Sequence, residues 1–297
     1  MSDVSRPPGE VGISRRWFLT VTGAIVASGL AADACSVEPR NVLLSRHLVA
    51  LPDLPAALDG VKIAQVSDVH LPANRAAAER TLAILEAERP EIVLLTGDQC
   101  ETSSALNDLV EFVRAARGSV ATIAILGNWD YRGRAVGLLA RRAYEQAGAT
   151  LLVNEHTIVD VRGARLAFVG LDDMLSSSPN AAAALVGLPL EIPAIWTIHE
   201  PAFADYLAPA PTQRPAFVLA GHTHGGQIRI PGLPAFTPPG SGRFLEGWYT
   251  STLGPLYVSR GIGTADVRAR FRCPPELPIF LLRRSGDGSS QAARSGS

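Results

Sequence analysis

Three apolar segments in the first half of the chain each run directly into a residue able to hold a metal ion. Residues 61–67, 91–95 and 120–126 read as strands. They end in Asp68-Val69-His70, Thr96-Gly97-Asp98-Gln99 and Gly127-Asn128-Trp129-Asp130. Between them, residues 74–88 and 104–117 carry helical patterns. The first of these has Asn74 as its expected cap and Arg89-Pro90 as its stop. A strand–loop–helix repeat of this kind builds an open α/β sheet, and such sheets collect their sites at the carboxyl ends of the strands. A single aspartate after a strand is an ordinary helix cap. The same class of residue after successive strands brings Asp68, His70, Asp98 and Asn128 to one edge.

The second half reads as richer in β-structure. Residues 151–153, 156–161 and 165–170 are short expected strands, with turns at Asn154-Glu155 and Arg162-Gly163. Residues 180–186 form a small alanine-rich helix, and residues 195–198 deliver His199-Glu200-Pro201. The apolar run 216–220 then meets Gly221-His222-Thr223-His224-Gly225-Gly226. Glycines free the backbone there, so two histidines one residue apart can turn toward one point. A further strand is expected over 226–230. Residues 231–248, rich in Pro and Gly, read as a long ordered loop exposing Phe236, Phe244 and Trp248. Strands at 46–51, 256–259 and 279–282 complete the pattern.

Composition bounds the function. With 297 residues, 47% of them hydrophobic and 19% charged, the chain can bury a substantial core. A net charge of -1 argues against a general nucleic-acid binder, which needs a basic surface. Three cysteines give no disulfide framework, and Cys100 and Cys273 read as small buried residues. The start of the chain is an address. Ser14-Arg15-Arg16-Trp17-Phe18-Leu19 resembles the twin-arginine export motif. An apolar stretch over 18–32 and a small-residue cleavage site at Ala32-Asp33-Ala34 follow it. The expected organisation is a signal peptide or anchor over 1–34, a linker over 35–45, one catalytic domain over 46–284 and a polar tail over 285–297. The expected partner in export is the twin-arginine machinery, and the expected location is the periplasm or cell envelope. The protein is either released there or held at the membrane.

Asp68, His70, Asp98, Asn128, His199, His222 and His224 form a set of seven oxygen and nitrogen donors, each at a strand end. Carboxylate, imidazole and amide together suit Mn, Fe or Zn and exclude a thiolate-rich structural zinc site. Seven donors exceed what one ion needs, whereas two ions sharing a carboxylate would use them all. A metallo-β-lactamase relative would need a His-x-His-x-Asp-His cluster, which the chain lacks.

In this order and context, Asp-x-His, Gly-Asp, Gly-Asn, His and Gly-His-x-His resemble the calcineurin-like metallophosphoesterase superfamily, over about residues 61–230. Two downstream stretches are similar to an exported or membrane-associated bacterial branch that includes UDP-2,3-diacylglucosamine pyrophosphatases. These are Gly225-Gly226-Gln227-Ile228-Arg229-Ile230-Pro231-Gly232 and Tyr257-Val258-Ser259-Arg260-Gly261-Ile262-Gly263. The resemblance implies a four-layer α/β/β/α sandwich of two mixed sheets flanked by helices. It implies one ion on Asp68, His70 and His224, a second on Asn128, His199 and His222, and Asp98 bridging. Asp98, Asn128 and His222 would act in catalysis, with a hydroxide shared by the ions as nucleophile.

The implied activity is hydrolysis of a phosphodiester or pyrophosphate bond, on a lipid- or nucleotide-linked substrate of the envelope. The alternatives are a phosphomonoesterase of the same fold and a non-enzymatic, metal-stabilised binding protein. One departure bears on the choice. Many superfamily members place a histidine after the Gly-Asn pair as acid for the leaving group, and this chain has Trp129, whose indole N–H is not a useful acid. Good leaving groups suffer least from that loss. Asp130 and His156 could replace the acid but read more readily as structural residues. Gln227 and Arg229 are candidate contacts to substrate phosphate. His47 reads as structural and His156 as solvent-facing.

Overall fold

The computed structural model describes residues 28–132, 134–207 and 213–285, so the twin-arginine motif and the tail beyond Ser285 lie outside the described residues. The first sheet contains β1 (Leu43–Leu51), β2 (Lys62–Val66), β3 (Ile92–Thr96), β4 (Ala121–Ile125), β5 (Thr150–Leu151) and β12 (Glu276–Arg284), in the order β1-β12-β2-β3-β4-β5. Strands β2 to β5 are parallel, and β12 runs antiparallel to β2. The second sheet has β6 (Glu155–Val161), β7 (Ala164–Gly170), β8 (Ala194–Thr197), β9 (Phe217–Ala220), β10 (Gly247–Thr250) and β11 (Pro255–Val258), in the order β10-β11-β9-β8-β7-β6. Both sheets are mixed, and the β7–β8–β9–β11 segment is parallel.

The near-continuous apolar strands follow from burial on both faces, because alternate residues point to opposite sides of a sheet. Ile63, Leu94, Ile123 and Ile125 face inward and meet Phe168, Ile195, Phe217 and Leu219 of the second sheet. Val66, Val93, Leu95 and Ala124 face outward, toward α1 (Arg75–Glu88), α2 (Leu106–Ala115) and the residues around Tyr144. The outer face of the second sheet buries Val169, Trp196 and Val218 under α5 (Ala181–Ala184), α6 (Phe203–Tyr206) and Phe244. The result is the expected sandwich of two mixed sheets flanked by helices. Gln65 is the one polar side chain on the inward face of β2. It donates to Thr96 Oγ1 at 3.0 Å and to the Ala220 carbonyl at 2.9 Å, joining the sheets just beneath their carboxyl ends.

Several local expectations need correction. Strand β1 begins at Leu43 rather than residue 46, and α2 covers Leu106–Ala115 after a 3-10 turn, Ser103–Ala105. Asn74 does not cap α1. Its amide donates to the carbonyls of His70 and Thr264 and its oxygen accepts from Thr264 Oγ1, which ties two site loops together. Residues 226–230 are no strand: His224–Gly226 is a 3-10 turn, and only Ile228 bridges, to Phe271. Two helices, α3 (Asn128–Arg132) and α4 (Arg134–Gln146), occupy a region where no helix was expected.

In the 231–248 loop only Phe236 is exposed as expected. Phe244 is buried, and Trp248 packs against Tyr257 at 5.3 Å and Phe280 at 5.9 Å. His47 stacks on Phe280 in the same group, a structural role, and burial lowers its pKa. Cys100 and Cys273 are buried free thiols.

Phe280 therefore holds the rim of the inter-sheet core. Phe280→Ala should cost about 3–5 kcal/mol in urea denaturation, whereas Val186→Ser, at an exposed site, should stay within about 0.5 kcal/mol.

Candidate metal centre

Parallel registry aligns the site. Val66 pairs with Leu95, and Leu95 with Ala124, so the residues two or three positions past each strand emerge side by side. The backbone there is forced. Asp68, His70, Asp98, His222 and His224 all have positive φ, between 50° and 72°. A non-glycine residue in that region costs about 1 kcal/mol or more, and five such residues at one place mark a site that strain has been accepted to build. Glycine is required beside them. A Cβ on Gly221 would overlap Ser67 Oγ, and one on Gly127 would overlap Asp98 Oδ1.

The side chains form two buried clusters. In each, one donor atom per residue lies within 4.8 Å of the others: Asp68, His70 and His224 in one, Asp98, His199 and His222 in the other. Asp98 stands between them, its Oδ2 3.2 Å from His199 Nε2 and 3.8 Å from His70 Nε2. Asn128 Oδ1 joins the second cluster, 3.2 Å from His222 Nδ1. All seven candidate donors thus converge.

Each of three imidazoles is backed on its far side, which turns a ring nitrogen inward. His199 Nδ1 donates to the Thr96 carbonyl at 2.9 Å, and His222 Nε2 to the Pro239 carbonyl at 2.7 Å. His70 Nδ1 faces Glu101 Oε1 at 3.2 Å. The Asp68 carboxylate accepts from the His222 amide, fixing the two loops to each other.

The donor set fits divalent cations. His70 Nε2 and His224 Nε2 face each other at 3.1 Å, and His199 Nε2 is buried without a hydrogen-bond partner. Converging lone pairs and an orphaned ring nitrogen are costly unless a cation or proton lies between them. Burial, with His70 and Arg270 nearby, holds His224 well below the ordinary imidazole range, so it is neutral, the form that ligates. Burial and then His199 lower His222 as well. At Asp98 burial acts upward, but His199, His70 and His222 outweigh it and keep the carboxylate ionised.

The other candidates divide. Gln227 lines the cleft above the clusters, its amide donating to the Ala265 and Val267 carbonyls. Arg229 is turned away, donating to the Gly225 carbonyl and paired at 2.7 Å with Glu246. Asp130 is a positioning residue. Its carboxylate accepts from the amides of Asp98, Gly127 and Cys100, and burial and the Asp98 charge raise its pKa to about 7. His156 is half-buried rather than solvent-facing, and bonds the Ala184 carbonyl.

Two residues of the site do not stand out in the sequence. Glu101 backs His70. Arg132 lines the cleft with its guanidinium 3.8 Å over the Trp129 ring and no carboxylate partner among the described residues. Its spacing of four from Asn128, one helical turn, is the signal that α3 would have supplied.

The cleft has a volume of about 340 Å³ and is walled by Asn128, Trp129, Leu175, Phe236 and Pro238 as well as the histidines. Comparison with known proteins agrees with this geometry. The model of the Calcineurin-like phosphoesterase superfamily domain matches residues 61–247. The chain is 28% identical over 284 residues to the uncharacterized metallophosphoesterase YkuE of Bacillus subtilis, covering 91% of this chain and 98% of that protein. It is 28% identical over 286 residues to the phosphodiesterase YaeI of Escherichia coli, covering 91% and 99%. It is 25% identical over 309 residues to the UDP-2,3-diacylglucosamine pyrophosphatase LpxG of Chlamydia muridarum, covering 82% and 90%.

If cations relieve the clustered lone pairs, dialysis against a chelator should lower the melting temperature. Returning Mn, Fe or Zn at 100 times its Kd should restore about 2.7 kcal/mol of stability. Acidification should release the ion too, as protons compete for the imidazoles, but only well below about pH 6.5, the ordinary imidazole value, because burial holds His222 and His224 beneath it. A melting temperature indifferent to both treatments would contradict the assignment.

Proposed function

The chain belongs to the calcineurin-like phosphoesterase superfamily and is a hydrolase of phosphoester bonds, and on that premise we propose that it cleaves phosphodiester or pyrophosphate bonds in a lipid- or nucleotide-linked substrate of the cell envelope. Two divalent cations would bind, one on Asp68, His70 and His224, the other on Asn128, His199 and His222, with Asp98 shared. Bound there, they supply Lewis acidity toward the phosphoryl oxygens and lower the pKa of water.

The observation that carries the choice of bond is Trp129. Its amide donates to Asp98 Oδ1 at 2.7 Å, so it holds the shared carboxylate, yet its indole N–H is not acidic enough to protonate a leaving group. The imidazoles lining the cleft, His222 and His224, both belong to the ligand clusters. The leaving oxygen must therefore depart with its charge. Arg132, held flat on the indole, can offset that charge without transferring a proton. Asn128, on the same face of α3, can orient a phosphoryl oxygen through its amide N–H. These features favour pyrophosphates and activated diesters, whose leaving groups bear charge well, over alkyl monoesters. The names of YaeI and LpxG, a phosphodiesterase and a pyrophosphatase, support the same reading.

Delivery to the envelope rests on Arg15-Arg16 ahead of the apolar run 18–32. Among the described residues no helix is long and apolar enough to cross a membrane. Replacing both arginines with lysine should leave precursor in the cytoplasm, and unchanged export of that variant would contradict the route.

With Mn supplied, aryl phosphodiesters and nucleotide pyrophosphates should turn over far faster than alkyl phosphomonoesters. Trp129→His should selectively accelerate poor leaving groups, within the factor of about 10² to 10⁴ that acid catalysis provides. Arg132→Ala should lower kcat/KM on a pyrophosphate about tenfold or more. A rate that does not depend on the leaving group would point to an acid elsewhere and contradict this reading.

A further inference from the structure

The mouth of the cleft exposes apolar side chains from three separate stretches of chain. Leu175, Phe236 and Val267 line it and are 46%, 80% and 55% exposed. Ile230 and Leu233, on the loop that carries Phe236, are 53% and 63% exposed. These stretches are firmly held. Gln227 fastens the Ala265 and Val267 carbonyls, the Leu233 amide closes a turn onto Ile230, and Thr223 Oγ1 donates to the Leu245 carbonyl. Gly226 lies so close to Ala235 that a Cβ there would stand 2.7 Å from it. An apolar patch built into an ordered surface marks a contact site.

A second, independent observation identifies the partner. The apolar run 18–32 reaches the domain at Ala34, whose carbonyl accepts from the Arg270 amide at 2.8 Å. Four residues later, the Glu38 carboxylate accepts from the amides of Arg272 and Cys273. The loop that receives the N-terminal segment is thus the one whose Ala265, Asp266 and Val267 form a wall of the cleft. Leu30 and Val37, on that segment, are themselves 49% and 60% exposed. Arg132, in the cleft wall, and Arg272, on the loop that receives Glu38, are both exposed, and neither guanidinium pairs with a carboxylate among the described residues. Among the described residues Asp266 is the only carboxylate in the cleft wall outside the two clusters.

We propose that this face lies against a lipid bilayer, with Ile230, Leu233, Phe236 and Val267 seated in the interface and the cleft opening onto the headgroups. The inference rests on the phosphoesterase reading for its purpose, since a phosphoester carried on an acyl chain would then reach the clusters without leaving the bilayer. An apolar rim flanked by arginines is the composition that binds the boundary between headgroups and acyl chains of anionic membranes.

The test uses the full chain with Cys35→Ser, which leaves only the buried Cys100 and Cys273. A single reporter cysteine is added, Phe236→Cys or Val120→Cys, and labelled with an environment-sensitive fluorophore. Val120 precedes β4, whereas the clusters lie beyond its other end, so it is a control about 17 Å or more away at the opposite edge of the sheet. Circular dichroism and metal content verify folding of both proteins. On vesicles of phosphatidylethanolamine and phosphatidylglycerol, the label at 236 should shift to the blue. A spin-labelled lipid should quench it several-fold more strongly than the label at 120.

Equal responses at the two positions, or a label at 236 that stays in water, would overturn the proposal, even if the protein sediments with vesicles through its N-terminal run. A shift at 236 that depends on protein concentration without lipid would replace it with self-association. None of these readouts involves turnover, so an inactive protein that docks as described would count against the phosphoesterase reading alone.

Discussion

The Asp98 carboxylate is the point on which the two halves of the site depend. It lies within 4 Å of an imidazole from each cluster, and every group around it is arranged to keep it there. Asp130 takes its amide, Trp129 gives its own amide to Oδ1, and Gly97 and Gly127 leave no room for a side chain against it. An ionised carboxylate buried this deeply is expensive unless opposite charge is close. His199, whose pKa the Asp98 carboxylate raises against the effect of burial, supplies part of that charge. The facing nitrogens of His70 and His224 show that imidazole alone does not complete it.

The fold makes this arrangement by packing two sheets face to face with their carboxyl ends over one point. The first sheet supplies Asp68, His70, Asp98 and Asn128 from loops after β2, β3 and β4. The second supplies His199, His222 and His224 from loops after β8 and β9. Neither sheet holds a complete cluster, since Asp68 and His70 need His224, and Asp98 needs His199 and His222. The Gln65 bonds to Thr96 and Ala220 lock the sheets one layer below. Disturbance of the inter-sheet core around Phe217, Tyr257 and Phe280 therefore reaches the two donor clusters through the strand ends.

The strands and ligands were readable from the sequence for one reason. A doubly buried strand is apolar throughout, so the first polar residue after it stands out. That contrast located all seven donors. It fails where burial is uneven. Glycines at 133 and 137 mask the start of the helical region in 128–146, although the apolar pattern of α4 is as pronounced as that of α2. Helix α3 is too short to show a period, so Arg132 does not stand out as Arg229 does beside the conspicuous histidines. The Glu246 that neutralises Arg229 is 17 residues away, a partner that only the folded loop reveals. Asn74 has the right residue type and position for a cap, but the loop at Thr264 competes for its side chain and wins. Phe244 and Trp248 read as exposed because Pro and Gly surround them. Tertiary packing buries the first and inserts the second beside the inter-sheet core.

The central claim is that Asp98 is shared between two cations. Elemental analysis of the native protein, purified without chelators, tests it most directly when paired with Asp98→Ala. The account predicts about two ions per chain in the native protein and loss of most of both in the variant, as a shared ligand requires. Retention of two tightly held ions by Asp98→Ala, or a native protein that saturates at one, would contradict it.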